Sequence, residues 1–416
     1  MSKPTPFKIA VSDDLLSFIH QRVSTARIPP GLSLPASEAW SDGIPPAVVE
    51  QIREYWEKKY DWRAVEARIN GHLKMFTLPI SEGGEDLTIH FVHHRSSRED
   101  AIPLLFQHGW PGSFLEVSKI IDLLTEPKDH EQQAYHVVAP SLPGFTFSSC
   151  PRGNEFSIKN MAAVDQKLML ALGYTKYMAQ GGDWGSIVAR HIGLMYPESC
   201  LAIHVNLLFA GMPSFWKNPL TFTYFMFWAA RQDTSNKDAS GLGRIKWWTS
   251  EESGYLEIQG TKPQTLSYGL IDSPIAMAAW LRDKMECLID DGFEWSEEDT
   301  ITWAMMYLIP GHSGHAQIYK NTKGKKMEAQ KETLSTPISS KVDFGASVFP
   351  KDVMIIPRWW AEVDVASNFV YWQEHEKGGH FASWENPDVL VQDIREFTKK
   401  IRPSYRKELM EIGKSK

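Results

Sequence analysis

Polar and apolar positions in the first hundred residues follow helical spacing and then alternate. Ser12-Asp13-Asp14 stands as an N-cap cluster before Leu15-Leu16-Ser17-Phe18-Ile19 and predicts a helix there. From about Pro46 to Tyr60, the residues Val48, Val49, Ile52, Tyr55 and Trp56 recur at the spacing of one helix face. Residues 87–94 alternate, the period of a strand. From 102 to about 212, short apolar runs at 103–106, 135–140, 177–179 and 201–207 are separated by helical stretches. Strands alternating with helices predict a parallel sheet, with ligands at the carboxyl ends of the strands. The rhythm breaks from about 213 to 335, where Trp, Met, Phe and Tyr fall at helical spacing with polar punctuation. That stretch predicts a helical lid inserted into the sheet. Strand patterns return at 342–349 and 368–372, and a final helix near Val389 to Phe397 is expected to close the sheet. The chain thus divides into an N-terminal region 1–95, a core of 96–212 and 336–416, and a lid 213–335. The lysine-rich stretch 323–331 reads as a solvated loop.

Composition narrows the class. With 43% hydrophobic and 23% charged residues, the chain reads as a soluble globular protein. Its net charge of −7 offers no basic face, so no nucleic-acid partner is expected. Sixteen tryptophans point to a large apolar interior and an aromatic-lined pocket. Cys150, Cys200 and Cys287 are too scattered for a disulfide framework or a zinc site and read as buried free thiols. The N-terminus lacks the apolar core of a signal peptide, and no run approaches the roughly 18 apolar residues of a membrane span. A cytoplasmic protein without a membrane anchor is expected.

The chemistry is expected where strands end. In Gln180-Gly181-Gly182-Asp183-Trp184-Gly185-Ser186, an apolar run turns through glycines into a helical pattern. This is the spacing of a nucleophile elbow, with aspartate in the serine position. A carboxylate there attacks carbon through oxygen and forms an ester. The alternative is a helix N-cap, which the flanking glycines disfavour. His380, in Gly378-Gly379-His380-Phe381, falls between the last strand and the helix after it, where a base that activates water belongs. An acid is needed to orient it. Spacing leaves Asp352 and Asp364 equally placed, with Glu362, Glu374 and Glu376 nearby. His108-Gly109-Trp110-Pro111-Gly112 ends the first core strand, and the backbone amides of Trp110 and Trp184 would form an oxyanion hole.

Together these stretches resemble the epoxide hydrolases of the α/β-hydrolase fold, in the branch that includes microsomal and fungal enzymes. The likeness also runs through Tyr60-Asp61-Trp62-Arg63, Glu66, Asn70 and Pro140-Ser141-Leu142-Pro143-Gly144-Phe145. It implies a mostly parallel sheet flanked by helices, a helical lid and an N-terminal extension. It selects Asp352, which follows the Phe349-Pro350 pair as that branch's acid does. It also implies two lid tyrosines that hold the epoxide oxygen, matched by Tyr255 and Tyr319. One departure is Tyr319-Lys320-Asn321, where an acidic residue is expected soon after the tyrosine, with His312 and His315 just upstream. Microsomal and insect members carry an N-terminal membrane anchor that this sequence does not show. The expected function is hydrolysis of an apolar epoxide to a vicinal diol, with epoxide and water as reactants, no cofactor or metal, and a possible homodimer. Trp110, Phe222, Phe225 and Trp228 are expected in the pocket, with Trp216 and Phe227 also in the aromatic lid. A haloalkane dehalogenase would share Asp183 and use Trp184 for halide, but usually needs an asparagine where Trp110 stands. A serine esterase lacks its nucleophile here, and a non-catalytic binding protein would not need both tyrosines.

Overall fold

The computed structural model describes residues 3–153, 155–238, 241–323 and 336–415. Its nine-stranded sheet comprises β1 (Thr5–Phe7), β2 (Met75–Glu82), β3 (Glu85–His94), β4 (Ile102–Gln107), β5 (Tyr135–Pro140), β6 (Tyr177–Gly181), β7 (Cys200–Val205), β8 (Asp343–Val348) and β9 (Phe369–Glu374). Their order is β1-β2-β3-β5-β4-β6-β7-β8-β9. From β5 to β9 every pair is parallel. Every residue of β4, β5, β6 and β7 is buried, as expected of strands covered by helices on both faces. After β5 the chain crosses back to the other side of β4 to form β6. The direction of winding therefore reverses between β4 and β6, and the carboxyl ends of these two strands open a crevice there.

β1, β2 and β3 pair antiparallel at one edge, so the sheet is mixed. The sequence pattern identified only β3. β1 is three residues long, and β2 carries Pro79, which weakens any strand signal. The helix Trp62–His72 clips this edge to the chain start. Its Glu66 Oε1 accepts from the Val11 N–H at 2.8 Å and from Trp62 Nε1 at 3.1 Å. Asn70 receives the Ile9 N–H at 2.9 Å and donates to the Ile9 carbonyl at 2.8 Å. Positions 62, 66 and 70 share one helix face, so these ties follow from helical periodicity.

A run of helices from Pro219–Ala229 to Gln317–Lys320 lies between β7 and β8. The N-terminal helix Pro46–Lys58 packs on two of them, Pro274–Glu286 and Glu297–Leu308. Beside it, Tyr60 Oη is 3.1 Å from Thr302 Oγ1, and Arg68 pairs with Glu298 at 2.5 Å. The N-terminal region thus braces the insertion from outside.

Two expectations need correction. The helix near 389–397 spans Pro387–Lys400 but is not the last, because Pro403–Lys414 follows and packs against β4. Of the three free thiols only Cys200 is fully buried, while Cys150 and Cys287 are partly buried. The lysine-rich stretch lies almost wholly outside the described residues. Among the described residues no helix is long and apolar enough to cross a membrane.

Candidate active site

β6 ends at Gly181, and Asp183 begins the helix Asp183–Met195 with a φ of +46°. A non-glycine residue in this left-handed region costs about 1–2 kcal/mol, and aspartate is among the side chains that tolerate it best. The turn holds the carboxylate out of the helix and into the crevice. The loop after β4 meets it there. A Cβ on Gly109 would come 2.0 Å from Asp183 Oδ1, so only glycine lets this loop close on the carboxylate. The closure brings the Trp110 N–H to Asp183 Oδ1 at 2.7 Å. The Trp184 amide lies in the first turn of the helix, where N–H groups have no intrahelical acceptor. His108 underpins the loop. Its Nε2 accepts from the Leu142 N–H at 3.1 Å, so Nδ1 carries the proton and donates to the Gly109 carbonyl at 3.0 Å. Burial lowers its pKa to about 4, which keeps the ring neutral.

His380 follows β9 and Asp352 follows β8. His380 Nδ1–H donates to Asp352 Oδ1 at 2.5 Å, and Nε2 lies 3.3 Å from Asp183 Oδ2. The same Asp352 oxygen accepts from the Val353 N–H at 2.6 Å. Burial works to lower the imidazole pKa. The Asp352 charge and the hydrogen bond to Asp183 outweigh it, and His380 titrates well above its ordinary range. Asp364, the competitor in the sequence, lies elsewhere, with its carboxylate accepting from Trp360 Nε1 at 3.0 Å. Glu362 pairs with Arg358 at 2.7 Å, and Glu374 accepts from Trp372 Nε1 at 2.8 Å.

Tyr255 and Tyr319 reach the same point from the insertion. The Tyr255 ring stacks on Trp110 with centroids 4.8 Å apart and meets Tyr319 edge-on at 5.8 Å. Tyr319 lies edge-on to Trp184 at 5.0 Å. Burial, and then the nearby Asp183 charge, hold the Tyr255 phenol well above its usual pKa. Burial and Tyr255 do the same for Tyr319, with Asp183 adding to the effect. Both phenols are therefore protonated donors at neutral pH.

Asp183, His380, Trp110, Tyr255, Leu288 and Val353 line one small cavity, with Glu252, Lys284, Cys287 and Trp248 also on its wall. Its interior gives the centre of a water-sized sphere about 10 Å³, the room of one water molecule. Trp110 lies where the sequence placed it, but the other three pocket residues do not. Phe225 packs against Trp360 at 5.0 Å, Trp228 against Trp359 at 5.8 Å and Phe222 against Phe215 at 5.7 Å, and none of them lines this cavity. Trp216 and Phe227 face solvent. The upstream histidines serve packing: His315 is buried edge-on against Tyr307 at 4.8 Å, and His312 Nδ1 accepts from the Gly314 N–H at 3.1 Å. Asn321, which replaces the expected acid, donates to the Phe156 carbonyl at 2.7 Å.

Glu116 carries no signal in the sequence, although it stands in the short helical turn Phe114–Val117 just after the motif loop. A Cβ on Gly112 would fall 1.7 Å from Glu116 Oε1, so the carboxyl is folded back over the loop that carries the Trp110 amide. Burial raises its pKa to about 8, with His380 opposing and Asp183 adding to the rise. Tyr307 donates to the Gly112 carbonyl of the same loop at 2.6 Å. Among the described residues no group of three or more His, Cys, Asp or Glu is arranged to hold a metal.

The chain matches the family model "Epoxide hydrolase N terminus" over residues 4–117 and that of the alpha/beta hydrolase fold over 102–207. It is 32% identical to Epoxide hydrolase 1 of Sus scrofa, over 94% of this chain and 88% of that one. Epoxide hydrolase 1 of Oryctolagus cuniculus is 31% identical with the same coverage. The epoxide hydrolase structure from Aspergillus niger superposes with a TM-score of 0.80 at 32% identity, covering 96% of this chain and 97% of that one. The site geometry and these likenesses converge on one conclusion: the chain belongs to the epoxide hydrolases of the α/β-hydrolase fold and is a hydrolase.

Proposed function

We propose that this enzyme converts an apolar epoxide to a vicinal diol in two steps, through an ester on Asp183. The observation that carries the proposal is the setting of the Asp183 carboxylate. One oxygen is held by the Trp110 amide and the other faces His380 Nε2. Oδ2 attacks an epoxide carbon, and the carbon–oxygen bond of the ring breaks. The departing oxygen takes a proton from Tyr255 or Tyr319. Oδ1 becomes the ester carbonyl oxygen, already in place against the Trp110 amide. His380 then takes a proton from water as the hydroxide adds to Asp183 Cγ. The tetrahedral oxyanion is stabilised by the Trp110 and Trp184 amides. It collapses with release of the alkoxide, which leaves as the diol after taking the proton from His380, and the proton left on the Asp183 carboxyl passes to the phenolate to restore the tyrosine. Asp352 orients the imidazole and stabilises its cation. The helical insertion acts as the lid. Trp110, Trp248, Leu288 and Val353 give the cavity the apolar wall such a substrate needs.

A single turnover in heavy-oxygen water tests the covalent route. The first diol should carry no solvent label, and the label should appear in Asp183. A labelled first diol would mean that water attacked the epoxide directly. The phenols have a separate test. Tyr255→Phe and Tyr319→Phe should each slow ester formation by about 10- to 100-fold, the worth of one hydrogen bond to a developing charge. The rate of ester breakdown should change much less. A rapid-quench time course separates the two rates, and equal slowing of both steps would count against the donor role.

A further inference from the structure

Arg244 is a fully buried cation that the proposed chemistry does not use. It sits in the helix Gly241–Trp247 of the insertion, yet its guanidinium reaches the loop after β8. Nε donates to the Asp352 carbonyl at 2.5 Å, and one terminal nitrogen donates to both the Lys351 carbonyl and the Cys287 carbonyl, the latter at 3.2 Å. The insertion lies against this loop closely enough that a Cβ on Gly241 would come 2.1 Å from the Ile355 carbonyl. A second tie runs alongside, from Lys351 Nζ to Asp238 at 2.9 Å and to Asp291 at 3.1 Å. The Cys287 turn in its next residue also holds the histidine loop, because the His380 N–H donates to the Leu288 carbonyl at 2.8 Å. One side chain therefore joins the backbone that carries Asp352 to the Cys287–Leu288 turn on which the His380 N–H rests.

We propose that Arg244 is a positioning residue for ester hydrolysis, setting the Asp352–His380 pair from the lid and placing a buried positive charge beside it. The proposal rests on the two-step mechanism above. Asp183 and the phenols can form the ester without His380 acting as a base, whereas hydrolysis requires a neutral, correctly aimed imidazole. Asp352 Oδ2 is buried without a hydrogen-bond partner, so the carboxylate depends on nearby charge as well as on its own bonds. The charged and titratable groups around His380 are Asp352, Asp183, Glu116 and Glu385, with Glu252, Lys284 and Cys287 on the wall of the same cavity. Those around Arg244 are Asp352, Cys287, Asp238 and Asp291. Removing the cation takes one positive charge from beside Asp352 while Lys284 on the cavity wall stays in place, so His380 should hold its proton to higher pH.

The test compares wild type, Arg244→Lys and Arg244→Met in single-turnover experiments across pH. Arg244→Met should slow ester hydrolysis at least tenfold more than ester formation, so that the ester accumulates. The acid limb of hydrolysis should move up by half a pH unit or more. Arg244→Lys keeps the charge but not the fork of donors. It should retain the position of the limb while showing a smaller version of the same imbalance, and it carries the test if Arg244→Met does not fold. Equal slowing of both steps with an unmoved limb would reduce Arg244 to a structural tether and overturn the proposal. A wild type that forms no ester would instead sink the two-step mechanism. In that case the NMR titration of His380 in Arg244→Lys and Arg244→Met still decides whether Arg244 sets the imidazole.

Discussion

Replacing Asp183 with alanine should abolish diol formation, with a loss in kcat of at least ~10⁴-fold, as expected when a nucleophile is removed. The protein should still fold, because the side chain faces a cavity rather than the core. Glycine at the same position offers a control rooted in the backbone. With φ at +46°, alanine inherits the strain that aspartate carries, and glycine does not. Asp183→Gly should therefore be as inactive as Asp183→Ala but more stable by about 1 kcal/mol in urea unfolding. Equal inactivity at unequal stability would assign the loss to the missing carboxylate rather than to a damaged fold. Turnover above about 1% of wild type in either variant would be more than a lost nucleophile allows and would remove Asp183 from the role.

The second large effect belongs to His380. In His380→Gln the ester should still form but break down more slowly by about 10³- to 10⁴-fold, the upper range for loss of a general base. Mass spectrometry of the intact protein should then show a stable gain of one substrate mass on Asp183. The pH dependence has a definite sign. In the free enzyme burial works to lower the imidazole pKa, and Asp352 and Asp183 together raise it above its ordinary range. Esterification removes the Asp183 charge and with it one of the two raising influences. The pKa of His380 should therefore fall once the ester forms, which favours the neutral base at the step that needs it. The acid limb of ester hydrolysis should lie below the titration midpoint of His380 in the free enzyme, read by NMR. A limb at or above that midpoint would contradict the coupling, and a His380→Gln protein that turns over without accumulating ester would contradict the role.

The elements closest to the chemistry were the most legible in the sequence, because their signals are local. A strand that turns through glycines into a helix announces Asp183 within seven residues. The motifs around Trp110 and His380 lie equally close to strand ends that alternation or apolar runs reveal. Helical spacing likewise marked Pro46–Lys58, while Glu66 and Asn70 were visible only through the resemblance, and their ties to Val11 and Ile9 come from the structure. Spacing alone left Asp352 and Asp364 level. Resemblance favoured Asp352, and the structure puts its carboxylate 2.5 Å from the imidazole while Asp364 turns toward Trp360.

The aromatic stretch 222–228 shows the opposite case. Its composition fits a pocket wall and a packed interface equally well, since both are apolar, and only the path of the chain distinguishes them. The edge strands β1 and β2 escaped because a three-residue strand and a strand with an internal proline owe their pairing to neighbours distant in sequence. Arg244 and Glu116 escaped for a related reason. A charged side chain in a helical pattern reads as a solvent-facing residue, and nothing local says that the fold will bury it beside Asp352 or over Gly112. By itself the sequence determined the order of the core strands and the helical insertion, the residues capable of attack and proton transfer, and the family to which they point. The tertiary structure alone decided which of them meet, because hydropathy and spacing report the preferences of a short stretch of backbone. The distances that make this site are set between segments that local patterns cannot relate, 73 residues apart for Trp110 and Asp183 and 108 for Arg244 and Asp352.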